Sequence, residues 1–367
     1  MFKKIATLLI VSIVIISCSG SSDGPSGTTD NFDREAMLSN LANNIIVPAF
    51  ADFKTKIEGL KSSAETFSQT PDQTNLDALR QAWFNAYKTW QHVAMFEIGK
   101  AEELQFVYFF NIYPLTVADV ETNIANGTYD LNHVNNHDAQ GFPALDYLLY
   151  GIGANDTEIL VKYTTDANAA NYKKYITDIV AKMDEIIEAI VNDWNGAYKN
   201  SFITSSGNTA TSSLNKFVND YIFYYEKRLR ANKFGIPAGN FSTNSLPEKV
   251  EAFYKQNISK ELALEALTAV QNVFTGKAYN GSTTGESFKT YLENLGRNDL
   301  VTLITNQFNT AKAQINTLDN NFYQQINTDN NQMTMAYDEL QKAVVLLKVD
   351  MLQAFNVSVD YVDADGD

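Results

Sequence analysis

The sequence predicts an all-α protein built from two packed helical bundles. Three observations carry that expectation. Apolar residues recur at spacings of three and four in several long runs, which places them on one stripe of a helix. Sustained alternation with a period of two, the signature of a strand on a half-buried sheet, is absent. A Gly- and Pro-bearing polar stretch, residues 235–247, interrupts the helical pattern about two thirds of the way along. The expected division is a first bundle over residues 32–235, a linker over 236–246 and a second bundle over 247–367. A chain of 367 residues, 45% of them hydrophobic, has ample material for both cores.

Residues 1–31 stand apart from the bundles. Met1-Phe2-Lys3-Lys4 supplies a positive start, and an apolar run of about a dozen residues follows to Ile16. That is the length of a signal-peptide core and shorter than the roughly 20 residues of a spanning helix. Ile15-Ile16-Ser17-Cys18 has the order of a bacterial lipobox: branched apolar residues, a small residue, then cysteine. The expectation is a signal peptide over 1–17 and lipidation of Cys18, the chain's single cysteine, which excludes an intramolecular disulfide. Two or more acyl chains give stable attachment, since each buried CH₂ contributes about 0.8 kcal/mol. Residues 18–31, rich in Gly, Ser, Thr and Asp, form a flexible tether. Cleavage removes two of 28 basic residues, leaving 26 against 43 acidic ones and a net charge of −17. Such acidity argues against nucleic acid as a partner.

The helices follow in order. Pro48 should kink an early helix. Thr70-Pro71-Asp72-Gln73 has the form of a capping box with Pro at the first helical position. It opens the stripe Leu76, Leu79, Trp83, Tyr87 and Trp90. Pro114 interrupts the next helical stretch. Ile176, Ile179, Met183, Ile186, Ile190 and Trp194 form a second stripe. A long helix ends at Gly235-Ile236-Pro237-Ala238-Gly239, and Ser245-Leu246-Pro247-Glu248 reads as a new helix start. Residues 279–285 (YNGSTTG) are a surface loop. Leu300, Ile304, Phe308, Ala311 and Ile315, then Met333, Tyr337, Leu340, Val344 and Leu347, complete the second half.

The candidate chemistry centres on Gly141-Phe142-Pro143-Ala144-Leu145-Asp146-Tyr147-Leu148-Leu149-Tyr150-Gly151. Asp146 lies among apolar neighbours. Such a carboxylate is either turned to solvent or buried with a partner. Glu226-Lys227-Arg228-Leu229-Arg230 is either a solvated helix face or the source of an inward arginine, whose fork matches a carboxylate. The three histidines are less informative. His133 and His137 have the spacing of a helical metal pair but sit in an asparagine-rich, loop-like stretch. His92 follows Trp90 and reads as a packed or surface residue. Asp360-x-x-Asp363-x-Asp365-Gly366-Asp367 opens like a calcium loop without the closing bidentate Glu. Core packing accounts for the tyrosine stripe Tyr221, Tyr224 and Tyr225.

The segment 141–151 resembles the G-x-H-x-x-E signature of the imelysin-like family, the M75 peptidase-like proteins. Ala82-Trp83-x6-Trp90 with Phe96-Glu97 is similar to that family's Trp-rich helix and following acid. Tyr225-Glu226-Lys227-Arg228-Leu229-Arg230 with Gly235-Ile236-Pro237-Ala238-Gly239 resembles its arginine-bearing helix, and the Asp-rich terminus is similar as well. The resemblance implies two helical bundles and an envelope protein linked to iron uptake, with iron or another divalent metal as the candidate cofactor or cargo. One founding member of that family was described as a metallopeptidase. This sequence carries Pro143 at the His position and Asp146 at the Glu position. Proline offers no ligand and Asp is one methylene shorter, while a zinc peptidase needs about three protein ligands and an open position.

The expectation is therefore a lipid-anchored binding protein of the cell envelope, at the outer membrane, serving iron or other nutrient uptake without catalysis. The alternatives are a metal-dependent peptidase, and a lipoprotein that binds a small non-metal ligand or a protein. Its expected partners are the membrane through its anchor, a metal or small ligand, and uptake-system proteins. The expected site gathers Glu97, Asp146 and Arg228 in one polar pocket, with Tyr147 or Tyr113 on its wall and Pro143 beside it.

Overall fold

The computed structural model describes residues 30–360. The signal peptide, Cys18, tether residues 18–29 and the acidic terminus beyond Asp360 lie outside the described residues. No helix among those described is long and apolar enough to cross a membrane.

Helix α1 runs over residues 34–69. Asp33 caps it by accepting the Ala36 N–H at 2.8 Å. It widens into a π turn at Leu41–Ile46, just ahead of Pro48. Proline has no N–H, so the Asn44 carbonyl lacks its helical donor. The Tyr279 N–H takes that place at 2.9 Å. The loop expected at 279–285 thus lies down on α1, with the Tyr279 hydroxyl on Asp52 at 2.6 Å.

Helix α2 is Gln73–Val93, capped by Asp72 rather than Thr70: the Asp72 carboxylate takes the Asn75 N–H at 2.9 Å. Then come α3 (Lys100–Glu103), α4 (Val107–Phe110), α5 (Val117–Asn126), a 3₁₀ turn (Val134–Ala139), α6 (Gly141–Tyr150), α7 (Asp156–Thr164), α8 (Ala169–Asn195) and α9 (Tyr198–Thr204). Helix α10 spans 213–238 and is π-helical over Tyr224–Gly235. The second half holds α11 (Ser259–Thr275), α12 (Phe288–Asn294), α13 (Asn298–Thr317) and α14 (322–355). Helix α14 breaks at Asp329 and widens again at Leu346–Met351. Among the described residues, extended pairing is limited to a bridge between Lys277 and Thr284.

The apolar stripes explain the packing. Leu76, Leu79, Trp83, Tyr87 and Trp90 are buried on α2, which packs on α1, and α8, with Ile176, Ile179, Met183 and Ile187 buried, packs on α1 as well. Helices α10, α11, α13 and α14 form the second group, and α2 rests on α11 between them. From Phe32 onward the chain is one compact unit. The division differs from the expected one in a specific way. The π-helical part of α10 packs on α14 and α11, so the bundle expected over 32–235 gives its last helix to the second half. Ser245-Leu246-Pro247-Glu248 starts a single 3₁₀ turn, Pro247–Lys249, and the next helix begins only at Ser259.

Candidate functional site

Helix α6 is seated by its two flanking glycines and by α2. Gly141 has φ +71°, and a Cβ there would lie 2.3 Å from the Phe110 carbonyl oxygen, so only glycine lets α4 approach. At the other end a Cβ on Gly151 would meet the Tyr254 ring at 2.4 Å. The Trp83 indole N–H donates to the Phe142 carbonyl at 3.2 Å, and the Tyr87 ring stacks on Phe142 with centroids 4.4 Å apart. These contacts present Asp146 to the segment 250–258, which joins α10 to α11.

Asp146 is 2% exposed. Its two carboxylate oxygens accept the backbone N–H groups of Tyr254 and Lys255, each at 2.8 Å. Burial pushes its pKa up to about 7, against the pull of these two amides. The segment it holds contains Ala252 at φ +56° and Gln256 at φ +66°, both left-handed and unfavourable for residues with a Cβ. A cavity of about 170 Å³ opens between this segment and α6. Tyr113, Pro114, Leu115 and Pro143 form one wall; Val250, Ala252, Phe253 and Tyr254 form the other. Asp146 and Glu248 are the charged residues of its lining.

A buried polar network lies behind this wall. Glu251 and Lys233, 2% and 4% exposed, are ion-paired. The Glu251 carboxylate also accepts from Asn111 at 2.9 Å and Gln91 at 3.3 Å, and Lys233 donates to Gln91 at 2.9 Å. The Tyr87 hydroxyl donates to Asn111 at 2.7 Å. Burial lowers the Lys233 pKa while Glu251 acts to raise it. Beside this network is a chamber of about 20 Å³, water-sized, which includes Tyr113, Tyr224 and Arg228 in its lining. The buried Tyr224 hydroxyl has no hydrogen-bond partner among the described residues.

The expected convergence of Glu97, Asp146 and Arg228 does not occur. Arg228 pairs with Glu97 at 3.2 Å, and burial holds the Glu97 pKa up despite that partner. Each oxygen of Asp146 accepts one backbone amide, and Arg228 is with Glu97 instead. Tyr113 and Pro143 line the cavity beside Asp146, without Glu97 or Arg228. Tyr147 turns away, its hydroxyl donating to Glu121 at 2.6 Å. The charged run after Tyr225 is not a solvated face. Glu226 is fully buried, with Lys227 at 3.2 Å and Lys348 at 3.1 Å, and Arg230 donates to the Tyr337 hydroxyl at 2.8 Å.

The residues do not suit a metal. Pro143 has no donor atom, and Asp146, each oxygen of which already accepts an amide, and the exposed Glu248 are the two acids at the cavity, short of the about three protein ligands a metal site takes. Among the described residues no three His, Cys, Asp or Glu side chains gather in a metal-holding group. His133 and His137 flank and enter the 3₁₀ turn instead of forming a helical pair. The His133 Nδ1 accepts the Asn135 N–H at 3.2 Å, and the His137 ring stacks on Tyr108. His92 lies 3.0 Å from Glu265.

Sequence reasoning missed Gln91, Lys233, Glu248, Glu251 and Tyr254. Two of these had a signal. Gln91 stands four residues after Tyr87, and Lys233 four after Leu229, so each is a polar residue continuing an apolar stripe. Glu251 and Tyr254 lie in an irregular segment whose shape no periodicity encodes.

The sequence pattern of the imelysin family, peptidase M75, matches residues 46–350. The iron-regulated protein A of Synechococcus elongatus is 22% identical over 264 residues, covering 71% of this chain and 69% of its own. The fold is shared with an imelysin-like protein from Psychrobacter arcticum, at TM-score 0.70 and 19% identity, covering 90% of this chain and 97% of the other. It is also shared with a protein of Parabacteroides distasonis described as an iron-regulated protein A precursor, at TM-score 0.71 and 16% identity, covering 89% and 97%. With more than four fifths of its length matched by that pattern, and the Gly141 and Gly151 pair seating the motif helix, this chain belongs to the imelysin family.

Proposed function

We propose that this chain is a lipid-anchored binding protein of the bacterial envelope that serves iron or another nutrient uptake by holding a small ligand, without peptide hydrolysis. The anchor is Cys18, and the outer membrane is the expected location. The observation that carries the binding reading is the state of the motif helix. Pro143 replaces a ligand, and the carboxylate of Asp146 organises a loop through two amides at 2.8 Å. What remains is a mostly apolar cavity with few polar groups, the usual form of a small-molecule site. The name of the Synechococcus relative supports an iron-related context. The test is elemental analysis of the purified full chain after exposure to Fe, Zn, Cu and Ca, beside an assay for peptide cleavage. Neither stoichiometric metal nor chelator-sensitive cleavage is expected. Chelator-sensitive cleavage lost in Asp146→Ala would restore the peptidase reading. Mass spectrometry of the N-terminus tests acylation of Cys18, and a mature chain beginning elsewhere would overturn it.

A further inference from the structure

We infer that the cavity beside Asp146 selects a small organic cation, an alkylammonium of about half a dozen non-hydrogen atoms, over neutral and anionic molecules of the same shape. This rests on the reading of the cavity as a ligand site and names the class of ligand. Size comes first. About 170 Å³ is well below the several hundred Å³ of drug-sized pockets and corresponds to roughly six water volumes. Charge comes second. Both ionisable carboxyl groups of the lining, Asp146 and Glu248, are acidic, and no Lys, Arg or His is in the lining. Of the nearby cations, Lys255 pulls on Asp146 from outside the lining, and the other two are paired away from it. Lys255 places its ammonium 5.0 Å over the Tyr150 ring, Lys233 is paired with Glu251, and Arg228 is paired with Glu97. Glu248 is exposed and makes no ion pair among the described residues, so a cation at this rim meets its carboxylate directly. Each oxygen of Asp146 takes one amide and keeps a second acceptor direction. The walls come third. Tyr113, Phe253 and Tyr254 are aromatic, and Pro143 and Leu115 are apolar. Aromatic faces attract a cation through the ring quadrupole while the apolar contacts take its alkyl groups. An anion would face the Glu248 carboxylate beside the acid of Asp146, and a neutral isostere would forgo the attraction of Glu248 and of the aromatic faces.

The test uses the full chain in detergent and titration calorimetry with choline, with 3,3-dimethylbutan-1-ol as the uncharged molecule of the same shape, and with 3,3-dimethylbutanoate. Choline should bind at least tenfold more tightly than the alcohol, and the carboxylate should be weakest. Glu248→Gln, at an exposed position, should reduce the preference for choline threefold or more while leaving the alcohol unchanged. Equal binding of choline and the alcohol, or a preference untouched by Glu248→Gln, would overturn the ammonium assignment and leave the cavity as a ligand site. Binding of neither compound also overturns the assignment. The broader reading of a non-metal site falls separately, on stoichiometric metal retained by the same preparation.

Discussion

The ion pair between Lys233 and Glu251 fastens α10 to the segment that walls the cavity, and its removal has a calculable consequence. Lys233→Met keeps most of the apolar stem and deletes the charge. Glu251 is then left without its cation at 2% exposure, with only the Asn111 and Gln91 amides as donors. Breaking a buried pair by removing one partner costs about 3–5 kcal/mol. The Gln91 carbonyl also loses its Lys233 donor, an unsatisfied acceptor costing about 1–3 kcal/mol. Two charge-assisted bonds to Glu251 survive and offset part of this. The net expectation is about 3–5 kcal/mol, read as a fall in the urea midpoint at unchanged slope. Adding Glu251→Gln removes the stranded charge and should recover at least about 2 kcal/mol. Stability of Lys233→Met within about 1 kcal/mol of wild type, or a double variant no more stable than the single, would refute the view that this pair is dry and coupled.

Other substitutions probe the rest of the site. The Asp146 carboxyl titrates near pH 7 when folded and near 4 when unfolded, so its stabilising contribution is present below about pH 4 and is lost as pH rises through 7. Asp146→Asn should remove that slope, at most about 1.4 kcal/mol per pH unit, in denaturation curves taken from pH 4 to 8. Gly141→Ala should cost about 3 kcal/mol or more by thermal denaturation, because it combines φ +71° with overlap onto the Phe110 carbonyl. Arg228→Ala should cost only about 1 kcal/mol, since Arg228 and Glu97 are each about a quarter exposed. Its double-mutant cycle with Asp146→Ala should be additive within about 0.5 kcal/mol.

The helices were legible because burial and periodicity are local properties of the sequence. Trp83, Tyr87 and Trp90 fall at helical spacing and are buried as that spacing requires. The π-helical stretch Tyr224–Gly235 was not legible. Wide turns shift which residues share a face without changing composition, so Arg228 and Arg230 acquire partners that a 3.6-residue repeat does not indicate. The acid of the motif was found, but its partner was not. An arginine is the natural guess for a buried carboxylate, whereas two backbone amides leave no trace in residue types. Gly151 gave a partial trace, since its missing Cβ is what admits Tyr254.

Two buried acids fasten one segment at two points, and this bears on how the cavity binds. Asp146 holds the amides of Tyr254 and Lys255 from α6, while Glu251 carries its own end of the segment to Lys233 on α10. Between these anchors the backbone passes through left-handed Ala252, and Gln256 follows just beyond, conformations that surrounding contacts must enforce. Opening the segment would therefore take the amides from Asp146 and leave Lys233 buried without Glu251, the latter at a cost of about 3–5 kcal/mol. Relief of backbone strain at two residues, about 1–2 kcal/mol each, cannot offset that. A wall fixed in this way spends little ordering entropy when a ligand arrives, which favours a formed site over one that closes around its ligand. It also explains why an acid can persist at position 146 when Pro143 supplies no metal ligand beside it: the carboxylate is required by the backbone it holds.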